Sequence, residues 1–525
     1  MNKNKLFFLI LSVIFNFYDN LEIPVYGDIS ELGYYYIRVF VGHPITQVQT
    51  LLIDTGSSLT SFSCSDCVEC GIHEHGTFNI SLSHSQVLEC NINFSRNVKN
   101  NSIIERCNCS EEGKCIYNVE YSEGSRLSGY FIEDFVEFES TSSINRWGRV
   151  RKRDKNRLVI GCNLFEQKLF KYQKATGIMG LGNFKKVDYL NSVVQNIFKN
   201  RSLERNGAKE VISIQLNKKG GKLVFGYNVN NGFNDDLFEL KSIQKCCDEE
   251  RYCGYINSIK INGYRITKNK SPKNNLFKGI FDTGTTVTVL PSIIYNNLIN
   301  QILNSVIKMY PYISGYDYMD GTTCWKISNK ISIDVFPNLE LEFIKNIKED
   351  KFEYSTVIWT SNSYLFINEI VDSESKIYCL GIVSDYRKEY STYNDYHNTK
   401  NHQNEIILGA TFFVDREITL FLNEERIMIG GIDIDTSDIS KKHLLRSYLN
   451  TEKKNTKVSI SSLNLQKVQQ INAEEYNSKN KQILKSLENK SRNTSNFLIV
   501  ILLFNPILLI FIKRMVSERK TNSIK

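Results

Sequence analysis

The chain has 525 residues, of which 41% are hydrophobic, and its formal net charge is +8. This length suits two or more folding units, and the apolar content excludes wholesale disorder. The charge arises from 65 basic and 57 acidic residues spread along the chain, which gives no case for a nucleic-acid partner. The composition also excludes collagen-like and multi-span membrane proteins.

The N-terminus carries a secretory signal. Lys3 and Lys5 precede the apolar residues 6–15, which is the charged-then-apolar pattern of a signal peptide, and we predict one over residues 1–20. Sequons, among them those at Asn79, Asn93, Asn100, Asn108, Asn200 and Asn269, predict a glycoprotein, although such triplets are common by chance in an Asn-rich chain.

The C-terminus carries a second membrane signal. Residues 497–512 are apolar apart from Asn505 and Pro506, and basic residues follow in the predicted cytoplasmic tail, 513–525. The segment is shorter than the roughly 20 residues that span a bilayer, but Lys513 and Arg514 can extend it by snorkelling. The alternative is an apolar helix packed on the globular body. The polar linker predicted at 436–496 favours a transmembrane helix, and hence a single-pass type I protein with a lumenal body.

The 13 cysteines are clustered along the chain. In a cytosolic protein such clusters indicate zinc, but the secretory signal favours disulfides and no metal. The spacing leaves the connectivity open, although two of the cysteines are plausible partners in the second half of the chain, Cys324 and Cys379. An odd count leaves at least one cysteine unpaired or intermolecular. The disulfide candidates are Cys64, Cys67, Cys70, Cys90, Cys107, Cys109, Cys115, Cys324 and Cys379.

Short apolar or alternating runs predict an all-β body. Strand-sized runs lie at 34–41, 48–53, 158–160, 223–225 and 418–422. Helical periodicity is confined mainly to 189–198 and 292–307. The basic stretch 146–157 and the polar stretch 385–404 are predicted to be surface loops.

An internal repeat carries the candidate chemistry. The sequence LLIDTGSS at 51–58 recurs as GIFDTGTT at 279–286, and each copy is an apolar strand that runs into Asp-Thr-Gly. A second pair, ATGIMGLG at 175–182 and IILGA at 406–410, follows the two copies in the same order. Each lobe is therefore predicted to supply one Asp turn and one apolar segment packed behind it.

Two aspartates, Asp54 and Asp282, stand at the same place in the two copies. Two carboxyl groups about 3 Å apart cannot both ionise, so they share one proton. The charged member can act as general base on a bound water, and the protonated member can donate to a carbonyl oxygen. Such a pair hydrolyses a peptide bond without a cofactor or a metal. Titration belongs to the pair, so neither residue alone is assigned as acid or base.

The residues around each aspartate are predicted to support the pair. Glycines allow backbone N–H groups to approach the carboxylates, hydroxyl residues can bond the outer oxygens, and the inner threonines can join the two turns. These supporting residues are Thr55, Gly56, Ser57, Thr283, Gly284 and Thr285.

Over residues 30–435 the sequence resembles the pepsin-like aspartic proteases. The run YSEGS at 121–125 is similar to the family's flap hairpin and places Tyr121 at the flap tyrosine. The resemblance implies a bilobal all-β fold with a central cleft that binds an extended polypeptide. It implies a short pro-segment at 21–30, an N-terminal lobe with a cysteine-rich insertion at 31–200, a C-terminal lobe at 201–435, a monomer, and activity without removal of a large propeptide.

A narrower resemblance is to plasmepsin V and its apicomplexan relatives, based on the cysteine-rich insertion, the short segment before the body and the C-terminal span. It implies a protease of the endoplasmic reticulum membrane that cleaves an Arg-x-Leu export motif, with Glu123 and Gln173 at the positions that hold the substrate arginine. Two positions depart from the family pattern. Ser122 replaces the flap cysteine of plasmepsin V, and Ser61 stands where many pepsins have the tryptophan that partners the flap tyrosine.

Two other readings remain open from the sequence. A broad-specificity, nepenthesin-like acid protease would cleave between apolar residues without regard to arginine. A pepsin fold without activity could serve as a binding module, although such proteins usually lose one aspartate and this chain keeps both.

Overall fold

The computed structural model describes the body of the protein between residues 21 and 431, with internal gaps. The described residues are 21–90, 107–139, 156–182, 193–198, 210–226, 241–244, 246, 251–267, 276–307, 310, 313–317, 322–348, 351–385, 404–424 and 426–431.

The described residues are predominantly β-structure, as the short apolar runs predict. The strands of the first half are β1 (Leu21–Asp28), β2 (Tyr34–Val41), β3 (Gln47–Asp54), β4 (Thr60–Ser63), β5 (Gln86–Val87), β6 (Asn108–Cys109), β7 (Cys115–Glu120), β8 (Arg126–Phe138), β9 (Asn156–Gln167), β10 (Gly177–Gly180), β11 (Val211–Asn217), β12 (Gly220–Phe225) and β13 (Lys241–Gln244).

The second half continues in the same way. Its strands are β14 (Tyr252–Ile261), β15 (Tyr264–Arg265), β16 (Phe277–Phe281), β17 (Thr288–Leu290), β18 (Ser314–Asp317), β19 (Thr323–Ser328), β20 (Leu339–Lys348), β21 (Lys351–Trp359), β22 (Leu365–Ile370), β23 (Ser375–Leu380), β24 (Ile382–Ser384), β25 (Glu405–Leu408), β26 (Arg416–Phe421) and β27 (Arg426–Gly431).

Helices are short in the described part of the chain. They are α1 (Leu169–Tyr172), α2 (Val193–Phe198), α3 (Ser292–Ile302), α4 (Ser361–Tyr364) and α5 (Ala410–Phe413), and a π-helical turn, Leu303–Ile307, extends α3. The helix predicted at 292–307 is confirmed, with Ile294, Tyr295 and Leu298 buried on one face. The end of the helix predicted at 189–198 is confirmed as α2, and its beginning lies outside the described residues.

The strands of the described residues form three sheets. The largest runs in the order β13-β27-β26-β11-β12-β1-β2-β3-β10-β4-β9-β8-β7-β6, with β5 paired to β8. It therefore joins the first strand of the body to the last two. The second sheet runs β21-β20-β14-β16-β25-β17-β24, and the third runs β18-β19-β23-β22. The all-β fold is consistent with two lobes, although the lobe boundaries at 200 and 435 remain predictions.

The internal repeat has the same geometry in both copies. Strand β3, which ends at Asp54, pairs in parallel with β10 so that Gly180 lies opposite Asp54. Strand β16, which ends at Phe281, pairs in parallel with β25 so that Leu408 lies opposite Phe281. The apolar segments that follow the Asp turns in sequence thus lie beside the strands that carry those turns, as predicted.

The first strand is part of the body. Leu21–Asp28 pairs with β12 on one side and β2 on the other, and the side chains of Ile23 and Val25 are buried. A short pro-segment at 21–30 remains a prediction, but its removal would take a strand out of the middle of the sheet, from between β12 and β2.

Disulfides, as predicted, connect most of the clustered cysteines. The pairs are Cys64–Cys162, Cys67–Cys70, Cys90–Cys109, Cys107–Cys115 and Cys324–Cys379. The last pair is the one that the sequence made plausible. Cys162, which the list of candidates omitted, attaches the cysteine-rich insertion to β9.

Among the described residues, no helix is long and apolar enough to cross a membrane. Several predicted segments lie outside these residues: the signal peptide (1–20), the linker (436–496), the transmembrane helix (497–512) and the cytoplasmic tail (513–525). The same is true of most of the loops at 146–157 and 385–404.

The disulfides predict unequal contributions to stability. Cys64–Cys162 closes a loop of sequence separation 98, whereas Cys67–Cys70 has a separation of 3. Because a longer closed loop removes more entropy from the unfolded chain, we expect the C64A/C162A variant to lose about 4 kcal/mol of unfolding free energy. The C67A/C70A control should lose about 2 kcal/mol or less. Denaturant unfolding measures both, and equal losses would contradict the prediction.

Candidate active site

The two Asp-Thr-Gly turns form one site. The side chain of Asp54, which is 4% exposed, accepts a hydrogen bond from the Gly56 N–H at 2.8 Å and another from the Ser57 hydroxyl. In the second turn, Asp282 accepts from the Gly284 N–H at 2.9 Å and from the Thr285 hydroxyl at 2.8 Å. The two carboxylates are therefore held by equivalent donors, as the repeat predicts.

Two buried threonines join the turns. The Thr55 N–H donates to Thr283 Oγ1 at 3.1 Å, and the Thr283 N–H donates to Thr55 Oγ1 at 3.0 Å. Each hydroxyl then donates across the site to a backbone carbonyl, that of Phe281 or Ile53, at 2.8 Å. Because these four hydrogen bonds use both threonines symmetrically, they fix the two strand ends against each other.

The glycines leave room for the carboxylates. A Cβ placed on Gly56 would lie 2.6 Å from the Asp282 carboxylate, and one placed on Gly284 would lie 2.4 Å from Asp54 Oδ1. Each glycine thus lies against the aspartate of the other turn. A side chain at either position would separate the two carboxyl groups.

The environment favours one shared proton. Burial raises the pKa of the Asp54 carboxyl well above its usual range, and the adjacent charge of Asp282 raises that pKa further. Hydrogen bonds from Ser57 and Gly56 oppose the rise, while a side-chain hydrogen bond with Asp282 adds to it. The pair therefore retains a proton at a pH at which an exposed carboxyl group has lost its own.

A β-hairpin contributes a third component of the site. Strands β7 and β8 pair antiparallel, and residues 121–125 make the turn between them. The Tyr121 N–H donates to the Ser125 carbonyl at 2.9 Å, and Gly124 adopts the left-handed φ of +83° that this turn requires. The run that resembled a flap hairpin is thus a hairpin turn.

Tyr121 faces the first aspartate. Burial raises the pKa of its hydroxyl, and the charge of Asp54 raises it further, while the Ser57 side chain opposes the rise. Its ring packs against Phe170 of α1, with ring centroids 5.0 Å apart. Position 61, where many pepsins have tryptophan, holds a buried serine, and Phe170 supplies the aromatic contact from another element.

The two predicted arginine-binding residues contact opposite ends of helix α1. Glu123 is exposed at the tip of the hairpin turn, and its carbonyl accepts a hydrogen bond from Lys168 Nζ at 3.2 Å. Gln173 is half-buried directly after α1, where its N–H donates to the Leu169 carbonyl at 3.0 Å. Helix α1, with Lys168 before it, therefore connects the backbones of the two residues.

A buried ion pair lies behind this helix. His73 Nε2 lies 2.8 Å from Glu166 Oε2, and the two side chains are 0% and 2% exposed. His73 Nδ1 lies 3.0 Å from the Gln173 carbonyl oxygen. No periodicity or motif in the sequence identifies either residue, because the contact joins positions 93 residues apart.

Comparison with known proteins identifies the family. The profile described as Xylanase inhibitor N-terminal matches residues 35–227, and the one described as Xylanase inhibitor C-terminal matches residues 251–462. Both are pepsin-like domains, and together they cover most of the chain. The chain belongs to the pepsin-like aspartic proteases.

The relatives of this protease carry protease names. Plasmepsin V of Plasmodium falciparum (isolate 3D7) is 24% identical over 85% of this chain and 79% of its own length. Aspartic proteinase 39 of Arabidopsis thaliana is 23% identical over 69% of each protein. Aspartic proteinase nepenthesin-2 of Nepenthes gracilis is 29% identical over 31% of this chain and 32% of its own. The chain is therefore an aspartic endopeptidase that acts on polypeptides.

The threonine contacts of the protease yield a prediction. Thr55→Val removes a hydroxyl that serves two buried backbone groups, the Phe281 carbonyl and the Thr283 N–H. We expect an unfolding free energy about 3 kcal/mol lower, because each buried group left without a partner costs roughly 1–3 kcal/mol. Thr55→Ser retains the hydroxyl and is the matched control. A valine variant as stable and as active as the serine variant would refute the joining role of this side chain.

Proposed function

We propose that Asp54 and Asp282 are the catalytic pair of this endopeptidase and hydrolyse the peptide bond through one activated water. The observation that carries the proposal is the reciprocal Thr55–Thr283 contact, which brings the two carboxyl groups together. Asp54 is buried, and burial together with the adjacent charge of Asp282 raises the pKa of its carboxyl group, which is the behaviour expected of two acids that share a proton.

The reaction follows from the shared proton. A water between the carboxyl groups loses a proton to the charged member as it attacks the substrate carbonyl carbon. The protonated member donates to the carbonyl oxygen, which yields a neutral tetrahedral diol. Its collapse transfers a proton to the amide nitrogen and releases the new amino group. Ser57, Thr285 and the two glycine N–H groups hold the carboxyl groups in place by hydrogen bonds while the proton moves between them.

Tyr121 and its hairpin cover the cleft in this proposal. The ring faces the dyad and lies on Phe170, so the hairpin can close over an extended substrate with its aromatic contact already formed. Backbone pairing between the hairpin and the substrate would supply affinity, and side-chain pockets would supply specificity.

The proposed substrate class contains an arginine upstream of the cleaved bond, in an Arg-x-Leu motif. Glu123 at the hairpin tip offers an exposed carboxylate, and a guanidinium can bind a carboxylate through two parallel hydrogen bonds. Gln173 offers an amide oxygen at the other end of α1. The similarity to plasmepsin V over 85% of the chain supports this substrate class over a broader one.

The proposed location is the endoplasmic reticulum membrane, with a type I orientation and a monomeric lumenal body. The five described disulfides support an oxidising compartment, since such bonds persist in the secretory pathway and are rare in the cytosol. The signal peptide and the apolar segment at 497–512 supply entry and anchoring.

A broad-specificity acid protease is the second candidate, and the similarity to nepenthesin-2 over part of the chain favours it. Both candidates use the same dyad, but only the first prefers substrates that contain an arginine upstream of the cleaved bond.

The dyad is tested by neutralising each aspartate in the full chain. We expect Asp54→Asn and Asp282→Asn each to lower kcat/KM by about 10³-fold or more, because the two groups act as a unit. Asp372→Asn, at an exposed turn, is the control and should keep full activity. Retained turnover in either dyad variant, with an unchanged melting temperature, would remove that residue from the mechanism.

Arginine recognition is tested separately. We expect Glu123→Ala to raise KM about tenfold for a peptide with Arg-x-Leu, since a charge-assisted bond contributes roughly 1.5–3 kcal/mol, and to leave a peptide with Ala-x-Leu unaffected. Glu120→Ala is the matched control, because Glu120 lies on the same hairpin but pairs with Arg126 at 3.0 Å. Equal losses on both peptides would assign Glu123 to structure. Equal cleavage of both peptides by the unmodified protease would favour the second candidate.

A further inference from the structure

The cysteine-rich insertion reaches the cleft through His73. This residue follows the Cys67–Cys70 disulfide, and its ring is fully buried between Glu166 at the end of β9 and the Gln173 carbonyl. Both of its neighbours are hydrogen-bond acceptors, a carboxylate and a carbonyl. When Glu166 is ionised, a ring that satisfies both acceptors must donate from both nitrogens, which is the imidazolium form.

Hydrogen-bond donors surround the Glu166 carboxylate, so it can stay ionised beside that positive charge. Its Oε1 accepts from the Ser63 hydroxyl and from Asn163 Nδ2, and its Oε2 accepts from the Gly71 N–H at 3.1 Å as well as from His73. Burial would raise the pKa of Glu166, but these donors and the charge of His73 lower it overall. The carboxylate therefore remains ionised in the interior, because every oxygen has partners.

The surroundings of His73 also favour the protonated form of its ring. Burial alone would lower the pKa of His73, but Glu166 and the Gln173 carbonyl raise it overall. Between pH 5.5 and the raised pKa the ring carries both protons. As the pH rises through that pKa, one of the two donated hydrogen bonds is lost, and the remaining proton can serve only one acceptor.

Helix α1 transmits this contact to the hairpin. At its start, the Leu169 N–H donates to Ser125 Oγ at 3.3 Å, Phe170 packs on Tyr121, and Lys168 reaches the Glu123 carbonyl. Lys168 has φ +55°, a strained conformation for a residue other than glycine, which persists only where its surroundings impose it. At the end of the helix, His73 holds the Gln173 carbonyl.

We infer that His73 and Glu166 are positioning residues, which hold Gln173 and, through α1, the hairpin carrying Glu123 in the geometry that selects arginine. The inference rests on the proposed arginine specificity of the same cleft. It adds that arginine selection depends on protonated His73 and therefore decreases as the pH rises, independently of the titration of the dyad.

Other ionisable groups lie near His73 and could contribute to a pH dependence. They come from the elements packed around it, namely Glu69, Glu74 and His75 of the insertion, Lys171 of α1 with Lys168 and Lys174 on either side of it, Tyr117 of β7 and Tyr34 of β2. His75 is exposed, lies two residues from His73 and has the same side chain, so it serves as the matched control.

The test compares two peptides in the full chain. One carries Arg-x-Leu and the other carries citrulline in place of arginine, which has the same shape without the charge. The ratio of their kcat/KM values cancels the titration of the dyad. For the unmodified protease, we expect the ratio of kcat/KM for the arginine peptide to that for the citrulline peptide to fall about tenfold between pH 5.5 and 8.5. The fall should come from a higher KM for the arginine peptide and not from a change in kcat.

Variants assign the effect to its source. His73→Gln should show the low ratio at every pH, with KM for the arginine peptide raised about tenfold at pH 5.5 and a much smaller change for the citrulline peptide. His75→Gln is the matched control and should reproduce the unmodified profile. Glu166→Gln should resemble His73→Gln, because it removes the carboxylate partner of the ring.

Several results would overturn the inference. They are an unmodified ratio that is constant with pH, a His73→Gln variant that keeps the high ratio, or equal losses on both peptides. If His73→Gln does not fold, the pH profile of the unmodified protease and of His75→Gln decides the question. No preference for arginine at any pH would overturn the proposed substrate class together with this inference, whereas a pH-independent preference would overturn the inference alone.

Discussion

The structure depends on an exchange of hydrogen bonds between two threonines. Thr55 and Thr283 each donate a backbone N–H to the hydroxyl of the other, and each hydroxyl donates to a carbonyl of the opposite strand. The buried carboxyl group of Asp54 beside the half-buried one of Asp282 is a costly arrangement, since burial and like charge both disfavour ionisation. The threonine contacts hold that unfavourable arrangement in place, and a shared proton relieves it.

The rest of the fold can be understood as support for this contact. Each Asp turn ends a strand paired in parallel with an apolar segment from much later in the chain, so the turns are fixed by long-range pairing. The hairpin that carries Tyr121 is held by three successive sets of contacts. The disulfides fix the insertion, His73 and Glu166 join the insertion to α1, and α1 carries the ring on which Tyr121 rests.

The two aspartates and many of the strands were predictable from the sequence because each follows a pattern of neighbouring residues. The repeat identified Asp54 and Asp282, and period-two runs identified strands such as Tyr34–Val41 with its matching bounds. What the sequence could not supply were partners set by tertiary contact. Cys162, Phe170 and Glu166 carry no local pattern, and each acquires its role from a residue far away in the chain. Ser61 stands in place of the tryptophan that partners the flap tyrosine in many pepsins, and Phe170 of a different element supplies the aromatic contact.

The most direct measurement of the central claim is a high-resolution crystal structure of the protease at mildly acid pH. The account predicts that carboxylate oxygens of Asp54 and Asp282 lie about 3 Å apart, with one solvent molecule in contact with both carboxyl groups. Two carboxylates with separate hydration shells, too far apart for one water to contact both, would contradict it.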